Sequence, residues 1–280
     1  MSQLQYEKIL IKLDTLSQQL SVHSSPYILH DKIDKSKNID SKSEISILLY
    51  THSEYSFIWN ATISLLQKYA GNIKIYWCCD SLHDYTLPES WSLYTYDTSL
   101  NWGSRIRGCL DLIQTKYIIY LQEDWLLIDN ISMDKLNYLM NFMDEKNCRY
   151  LTTDIRQRFA VPPIQSIFPD YEFQKIYGHW MQPSIWNKEL LYQIALTNCS
   201  IKEYEINESL KLTQNSLCYS IRNNRFKEVS TRSLFYPHIH AINGGKWTFI
   251  KYPTLKALVE SYGVDTSMRD IDNTWTIDYQ

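Results

Sequence analysis

The chain has 280 residues, 44% of them hydrophobic and 21% charged, which is enough apolar material for one large domain or two small ones. Its net charge of -3 leaves no basic surface for a nucleic-acid backbone, so no nucleic-acid partner is expected. No apolar run approaches a membrane span and no signal-peptide core opens the chain, which therefore reads as cytoplasmic, at most peripheral to a membrane. The six cysteines (Cys78, Cys79, Cys109, Cys148, Cys199, Cys218) form no C-x-x-C pair and read as reduced, buried small residues. The 9 Trp and 22 Tyr suit a sugar-binding cleft, but they serve a core equally well, and that is the commoner use.

Tyr6, Ile9, Leu13, Leu16 and Leu20 recur at steps of three and four, predicting a helix with one apolar stripe. Packing on the chain's own body is the first reading of that stripe; self-association or contact with a membrane-bound partner is the second. Ser21 to Glu44 has a linker composition around Pro26, which places a boundary near Ser43: residues 1–43 form an arm and linker, residues 44–280 one α/β domain.

Ile45 to Tyr50 is a predicted strand, followed by the polar loop Thr51-His52-Ser53-Glu54, with Ser53 as N-cap of a helix that buries Ile58, Ala61, Leu65, Leu66 and Tyr69 and stops at Gly71. Strands over Ile73 to Cys79 and Leu93 to Tyr96 end in Asp80 and Asp97. A helix from about Leu100 to Gln114 then feeds the strand Lys116 to Leu121, which ends on Gln122, Glu123 and Asp124. Repeated strand and helix units of this length imply a mostly parallel sheet with helices on its faces. Thr51, Asp80, Asp97, Glu123 and Asp124 should then share the carboxyl rim, where open α/β sheets bind ligands. Adjacent carboxylates there call for a compensating cation or donor network; a solvated acidic turn after a core strand is the even alternative. The absence of G-x-G-x-x-G and of a P-loop argues against dinucleotide dehydrogenases and P-loop enzymes.

A helix over Ser132 to Lys146 and a strand over Tyr150 to Thr153 follow, with Asp154, Arg156 and Arg158 at the same rim. Phe159 to Tyr171, with Pro162, Pro163 and Pro169, reads as a long loop that covers a cleft. Gly178 to Leu190 reads as a strand turning at Pro183 into a helix from Asn187; Trp180 or Gln182 would meet a sugar face and its hydroxyls, and Trp186 would pack. Glu203 and Glu205, with one residue between them, would point the same way on a strand or extended loop; an acid cluster on a helix surface is the equal alternative. His238 and His240 share one face of a short strand, an arrangement that binds metal only if further ligands join it. The Gly244-Gly245-Lys246-Trp247 turn lets backbone approach a ligand while Lys246 supplies positive charge.

From about Ile45 to Trp247 this order of strands, helices and motifs resembles the nucleotide-sugar half of GT-A-type glycosyltransferases, especially the family 2-like group. The segment Asn101 to Arg107 looks like the helix start that precedes their D-x-D motif, and YLQED aligns with that motif, Asp124 at its last Asp and Gln122 at its first. The resemblance implies a GT-A-like α/β fold and a transferase acting on a UDP- or GDP-sugar donor and a glycan or polysaccharide acceptor. It further implies a divalent metal, Mn or Mg, held by Asp124 with Glu123 and His240, although Gln122 is a weak neutral ligand where the pattern has an acid. Thr51, His52, Asp80, Arg107 and Lys246 join Glu123 and Asp124 in donor binding on this reading, and Trp180 and Gln182 fall in the acceptor segment. Glu205, with Glu203 beside it, would take the acceptor proton in an inverting displacement. A catalytically inactive sugar- or nucleotide-binding scaffold, which Gln122 motivates, and a sugar nucleotidyltransferase are the alternatives; THSEYS lacks the Gly-rich basic loop of the latter.

Overall fold

Unbroken apolar runs set the centre of the molecule, because a strand covered on both faces needs no polar alternation. The computed structural model describes residues 44–153, 163–176, 181–197, 199–205, 217–223, 231 and 233–274. The N-terminal arm and linker, Asp154, Arg156, Arg158 and Trp180 therefore lie outside the described residues. Strand β1 (Ile45–Tyr50) is buried along its whole length, as are the first five residues of β4 (Tyr117–Gln122). With β2 (Lys74–Cys79) and β3 (Ser92–Thr95) they form a four-stranded parallel block in the order β3-β2-β1-β4.

The sheet continues through β9 (Ser184–Asn187), β6 (Cys148–Thr152), β10 (Leu217–Asn223), β8 (Tyr171–Lys175) and β7 (Ile164–Gln165), nine strands in all among the described residues. Strand β9 lies antiparallel between β4 and β6, and β8 is antiparallel to β10 and β7, so the remaining seven strands share one direction. The expected mostly parallel sheet is thus present, with two reversed strands that the sequence pattern does not predict: β9 occupies the stretch expected to turn from Pro183 into a helix, and β8 starts at Tyr171, the expected end of the long loop.

Alternation along the central strands divides two cores. Ile45, Ile47, Leu49, Ile119 and Leu121 face α1 (Ser56–Tyr69) and α3 (Met133–Glu145), whereas Leu48, Tyr50, Ile118 and Tyr120 face α2 (Trp102–Leu112) and α4 (Lys188–Ala195). Side chains of α2, α3 and α4 at Asn101, Ser132 and Asn187 cap those helices as acceptors for backbone N–H groups. Helix α1 ends as predicted, Gly71 supplying the left-handed φ of +62° just past it.

Three local expectations change. His52, not Ser53, caps the chain after β1, because a 3-10 turn at Ser53–Tyr55 precedes α1 and leaves the Ser53 side chain pointing elsewhere. Glu203 sits in a short helix, α5 (Ile201–Glu203), rather than on a strand: Ser200 and Glu203 close a reciprocal capping box that overrides the extended reading. The described part of the proposed lid, from residue 163 on, is a hairpin in which β7 pairs with β8, so it belongs to the sheet.

Beyond β4 the chain forms β5 (Trp125–Leu127), which pairs antiparallel with β11 (His238–His240). The next two strands, β12 (Ile242–Asn243) and β13 (Lys246–Trp247), close a hairpin over Gly244 and Gly245, both at positive φ as its two-residue turn requires. No described helix is long and apolar enough to cross a membrane.

Candidate functional site

The two acids after β4 part company within one residue. Glu123 turns inward and is only 6% exposed; its carbonyl accepts the Thr62 hydroxyl at 2.8 Å and its carboxyl meets the Thr51 hydroxyl. Thr51 is itself fixed on three sides, by the Trp59 indole N–H at 2.8 Å on its hydroxyl oxygen, by the Cys78 carbonyl on its N–H, and by the Tyr96 hydroxyl donating to its carbonyl at 2.7 Å. Burial, reinforced by the charge on Asp124, pushes the Glu123 pKa up to about 8, so this carboxyl holds its proton at neutral pH.

Asp124 turns the other way. Its Oδ2 lies 3.2 Å from His240 Nε2, and its carbonyl accepts the Ala241 N–H at 2.8 Å. Its Oδ1 is buried and has no hydrogen-bond partner among the described residues, a costly state for a carboxylate oxygen unless a ligand completes it. His240 is set by the β5–β11 ladder, which places it opposite Trp125, and by stacking on that indole at 3.9 Å with the rings nearly parallel. His238, two residues earlier, meets the same indole edge-on but is fully buried with Nδ1 on the Tyr236 carbonyl; burial drives its pKa down to about 4, so it is neutral. The shared face expected for the two histidines is present, yet His240 alone of the pair reaches Asp124. Among the described residues no three His, Cys, Asp or Glu groups converge to hold a metal ion, because Glu123 leaves the set by turning into the core.

Asp80, at the end of β2, is engaged throughout. Ser53 donates its N–H to Oδ1 at 2.7 Å and its hydroxyl to Oδ2 at 2.6 Å, and His52 Nε2 stands 3.5 Å from Oδ2. His52 Nδ1 accepts the Glu54 N–H, which leaves Nε2 facing Asp80. Burial on its own would raise the Asp80 pKa; the two Ser53 donors and His52 outweigh it and hold the group below the usual carboxylate value.

Asp97 is exposed and accepts the Ser99 N–H, a turn contact. Arg107, expected at the donor, is half-buried on α2 and within electrostatic reach of Tyr192 on α4. Arg105 reaches the rim: it donates to the Thr98 and Leu100 carbonyls and to the Tyr50 hydroxyl, with its guanidinium 5.1 Å from the Tyr96 ring centre. Lys246 is exposed on β13. The register that sets Tyr120 opposite Ser184 carries Met181 and Gln182 past the carboxyl end of β4. There Glu205 Oε1 accepts the Met181 N–H at 2.8 Å, so this acid is brought to the same edge of the sheet, while Glu203 is exposed and spent on its capping box.

No family model matches the chain, and no curated protein matches it. Among solved structures it is similar to the bifunctional IspDF from Campylobacter jejuni (12% identity, TM-score 0.32, 56% of this chain and 44% of that one) and to S. aureus TarS (15%, 0.38, 59% and 32%). It is also similar to a cytidylyltransferase from Leptospira borgpetersenii (13%, 0.42, 83% and 99%). The chain thus spans less than half the length of the first two. With TM-scores below 0.5 these likenesses carry no argument about activity, which must come from the side chains.

Proposed function

We propose that the chain is a glycosyltransferase with a GT-A-like fold that takes its sugar from a nucleotide-sugar donor and passes it to a hydroxyl of a glycan or polysaccharide acceptor. The observation that supports this most is the unpartnered Oδ1 of Asp124, a carboxylate oxygen held ready at the carboxyl end of the central strand by a ladder, a stacked histidine and a backbone bond. Mg and Mn are commonly held by one or two protein carboxylates together with substrate phosphates, so Asp124, flanked by His240, fits such an ion without a three-residue cage. When bound, the ion neutralises charge on the departing diphosphate.

The other residues prepare the site. Protonated Glu123 holds Thr51, the residue that follows β1 beside the donor; Asp80 and Ser53 fix the loop that carries His52. Glu205, oriented by the Met181 N–H, is the group assigned to take the acceptor proton, since a sugar hydroxyl is a poor nucleophile until that proton leaves. Gln182, next to Met181, is assigned to the acceptor and Lys246 to the diphosphate. Attack by the acceptor oxygen on the anomeric carbon, with departure of the nucleoside diphosphate from the opposite face, inverts the configuration.

The test is release of nucleoside diphosphate across a panel of UDP- and GDP-sugars with candidate acceptors. Release that depends on donor identity and is lost in Asp124→Asn supports the reading. Tight donor binding with no transfer to any acceptor would favour the non-catalytic scaffold that Gln122 motivates.

A further inference from the structure

Arg269 lies far from every segment that the sequence pattern singles out, yet the ladders of the site lead to it. Asp124 bonds to Ala241, Ala241 to Thr248, and the neighbouring Trp247 donates its N–H to the Asp270 carbonyl while accepting the Asp272 N–H, with Ile271 bridging Trp247 in parallel. The Asn243 amide donates to the Asp272 carboxylate, which also caps Thr274, so residues 270–272 are tied to the hairpin. Arg269 is delivered by that strap onto the start of α1, its guanidinium carbon 5.2 Å from the ring centre of Tyr55 and 5.3 Å from that of Phe57. Phe57 is in turn braced edge-on by buried Trp247.

The charge is therefore pinned, but its donors are not used. Among the described residues Arg269 has no hydrogen bond and no ion pair, and its contacts are the two rings and the edge of Gly245, where an added Cβ would stand 4.0 Å from its Nη1. A guanidinium presents five N–H groups in a fixed fork that matches phosphate oxygens two at a time, and ring stacking orders it without consuming them. The Tyr55 phenol is within electrostatic reach of Glu123 and Asp124 as well as of Arg269, so this ring neighbours both the cation and the acids of the rim.

We propose that Arg269 is a diphosphate-binding residue, clasping the phosphate oxygens of a nucleoside diphosphate whose other flank meets Asp124. The assignment rests on the donor site described above and adds to it a cation that comes from the carboxyl-terminal strap. Gly245 presents no side chain to the guanidinium, and exposed Lys246, the first residue of β13 after the turn, adds a second charge.

Calorimetric titration of the full chain with UDP, GDP, uridine, guanosine and inorganic pyrophosphate, in the presence of Mn, separates the two claims. Arg269→Gln should weaken UDP or GDP binding at least tenfold and abolish binding of pyrophosphate, leave the matching nucleoside unchanged, and raise the donor KM. Arg269→Lys should recover part of the loss, and unchanged nucleoside binding with an unchanged melting temperature reports an intact fold. Wild-type protein that binds diphosphates while Arg269→Gln binds them equally well overturns this proposal alone. Wild-type protein that binds none of the phosphorylated probes overturns both it and the donor site.

Discussion

Asp80 and Asp124 follow the two strands that flank β1, at the same edge of one parallel block, and their environments are opposites. Asp80 has a donor for each oxygen and a histidine alongside; Asp124 has one oxygen on His240 and the other on no group among the described residues. A carboxylate whose bonds are all made within the chain holds two loops together, whereas one left short of a bond in a buried place is suited to something that arrives from outside. Position on the rim is therefore not enough to assign a role. What the neighbours leave unsatisfied is the better guide.

Substitutions can break this contrast. The largest effect is expected for Asp124→Asn, which keeps the shape and removes the charge: nucleoside diphosphate release should fall by roughly a hundredfold or more, the scale seen when one preorganised electrostatic contact is lost. Its denaturant midpoint should change little. Asp80→Ala should weigh mainly on the fold, lowering stability by roughly 2–3 kcal/mol through loss of two charge-assisted bonds, with turnover of the folded fraction falling far less than in Asp124→Asn because only the loop that carries His52 is loosened; chemical denaturation followed by turnover of the folded fraction separates the two. Because the Asp80 pKa is depressed in the fold, its contribution is present above the ordinary carboxylate value and fades as pH drops below it. Wild type and Asp80→Ala should accordingly converge in stability under acid.

Glu123 sharpens the comparison from the other side. Its folded pKa, about 8, is raised from an ordinary value of 4.5, so the fold is favoured while the group is protonated in both states and loses stability as pH climbs from about 4.5 to about 8. Glu123→Gln should flatten that slope in melting experiments, and should be the more stable protein at pH 8. The smallest effect is expected for Thr62→Val, which deletes one hydroxyl bond to the Glu123 carbonyl and should cost about 1 kcal/mol by chemical denaturation with donor KM unchanged.

The sheet was legible because its evidence is local: the run YIIYL and the run ISILLY can only be strands covered on both faces, and the polar residues after them had to share one edge. Strand β9 was not legible at all: Ser184 to Trp186 fall between the strand expected before Pro183 and the helix expected from Asn187, and its reversed direction depends on the connection that precedes it. At the site, His240 and Asp124 were both identifiable as chemistry-bearing residues, and the β5–β11 ladder that joins them is a pairing across more than a hundred residues that no spacing encodes. The separation of Glu123 from Asp124 did have a signal: adjacent residues at a strand end point to opposite sides, so the pair could not serve one ligand as equals. Ser200-Ile201-Lys202-Glu203 likewise carries the S-x-x-E signature of a capping box, which competed with the alternation reading and prevailed. Arg105 and Arg269 were missed for different reasons. Arg105 lies two residues before the favoured Arg107 on the same helix, and Arg269 becomes relevant only once the strap at 270–272 is laid along Trp247.

The most direct test of the central claim is a crystal grown with Mn and a UDP- or GDP-sugar, examined for the anomalous signal of the metal. The account predicts a peak bonded to Asp124 Oδ1 and to diphosphate oxygens, beside His240 and below Arg269. A nucleotide seated elsewhere on the molecule, with Asp124 still closed on its own neighbours, would contradict it.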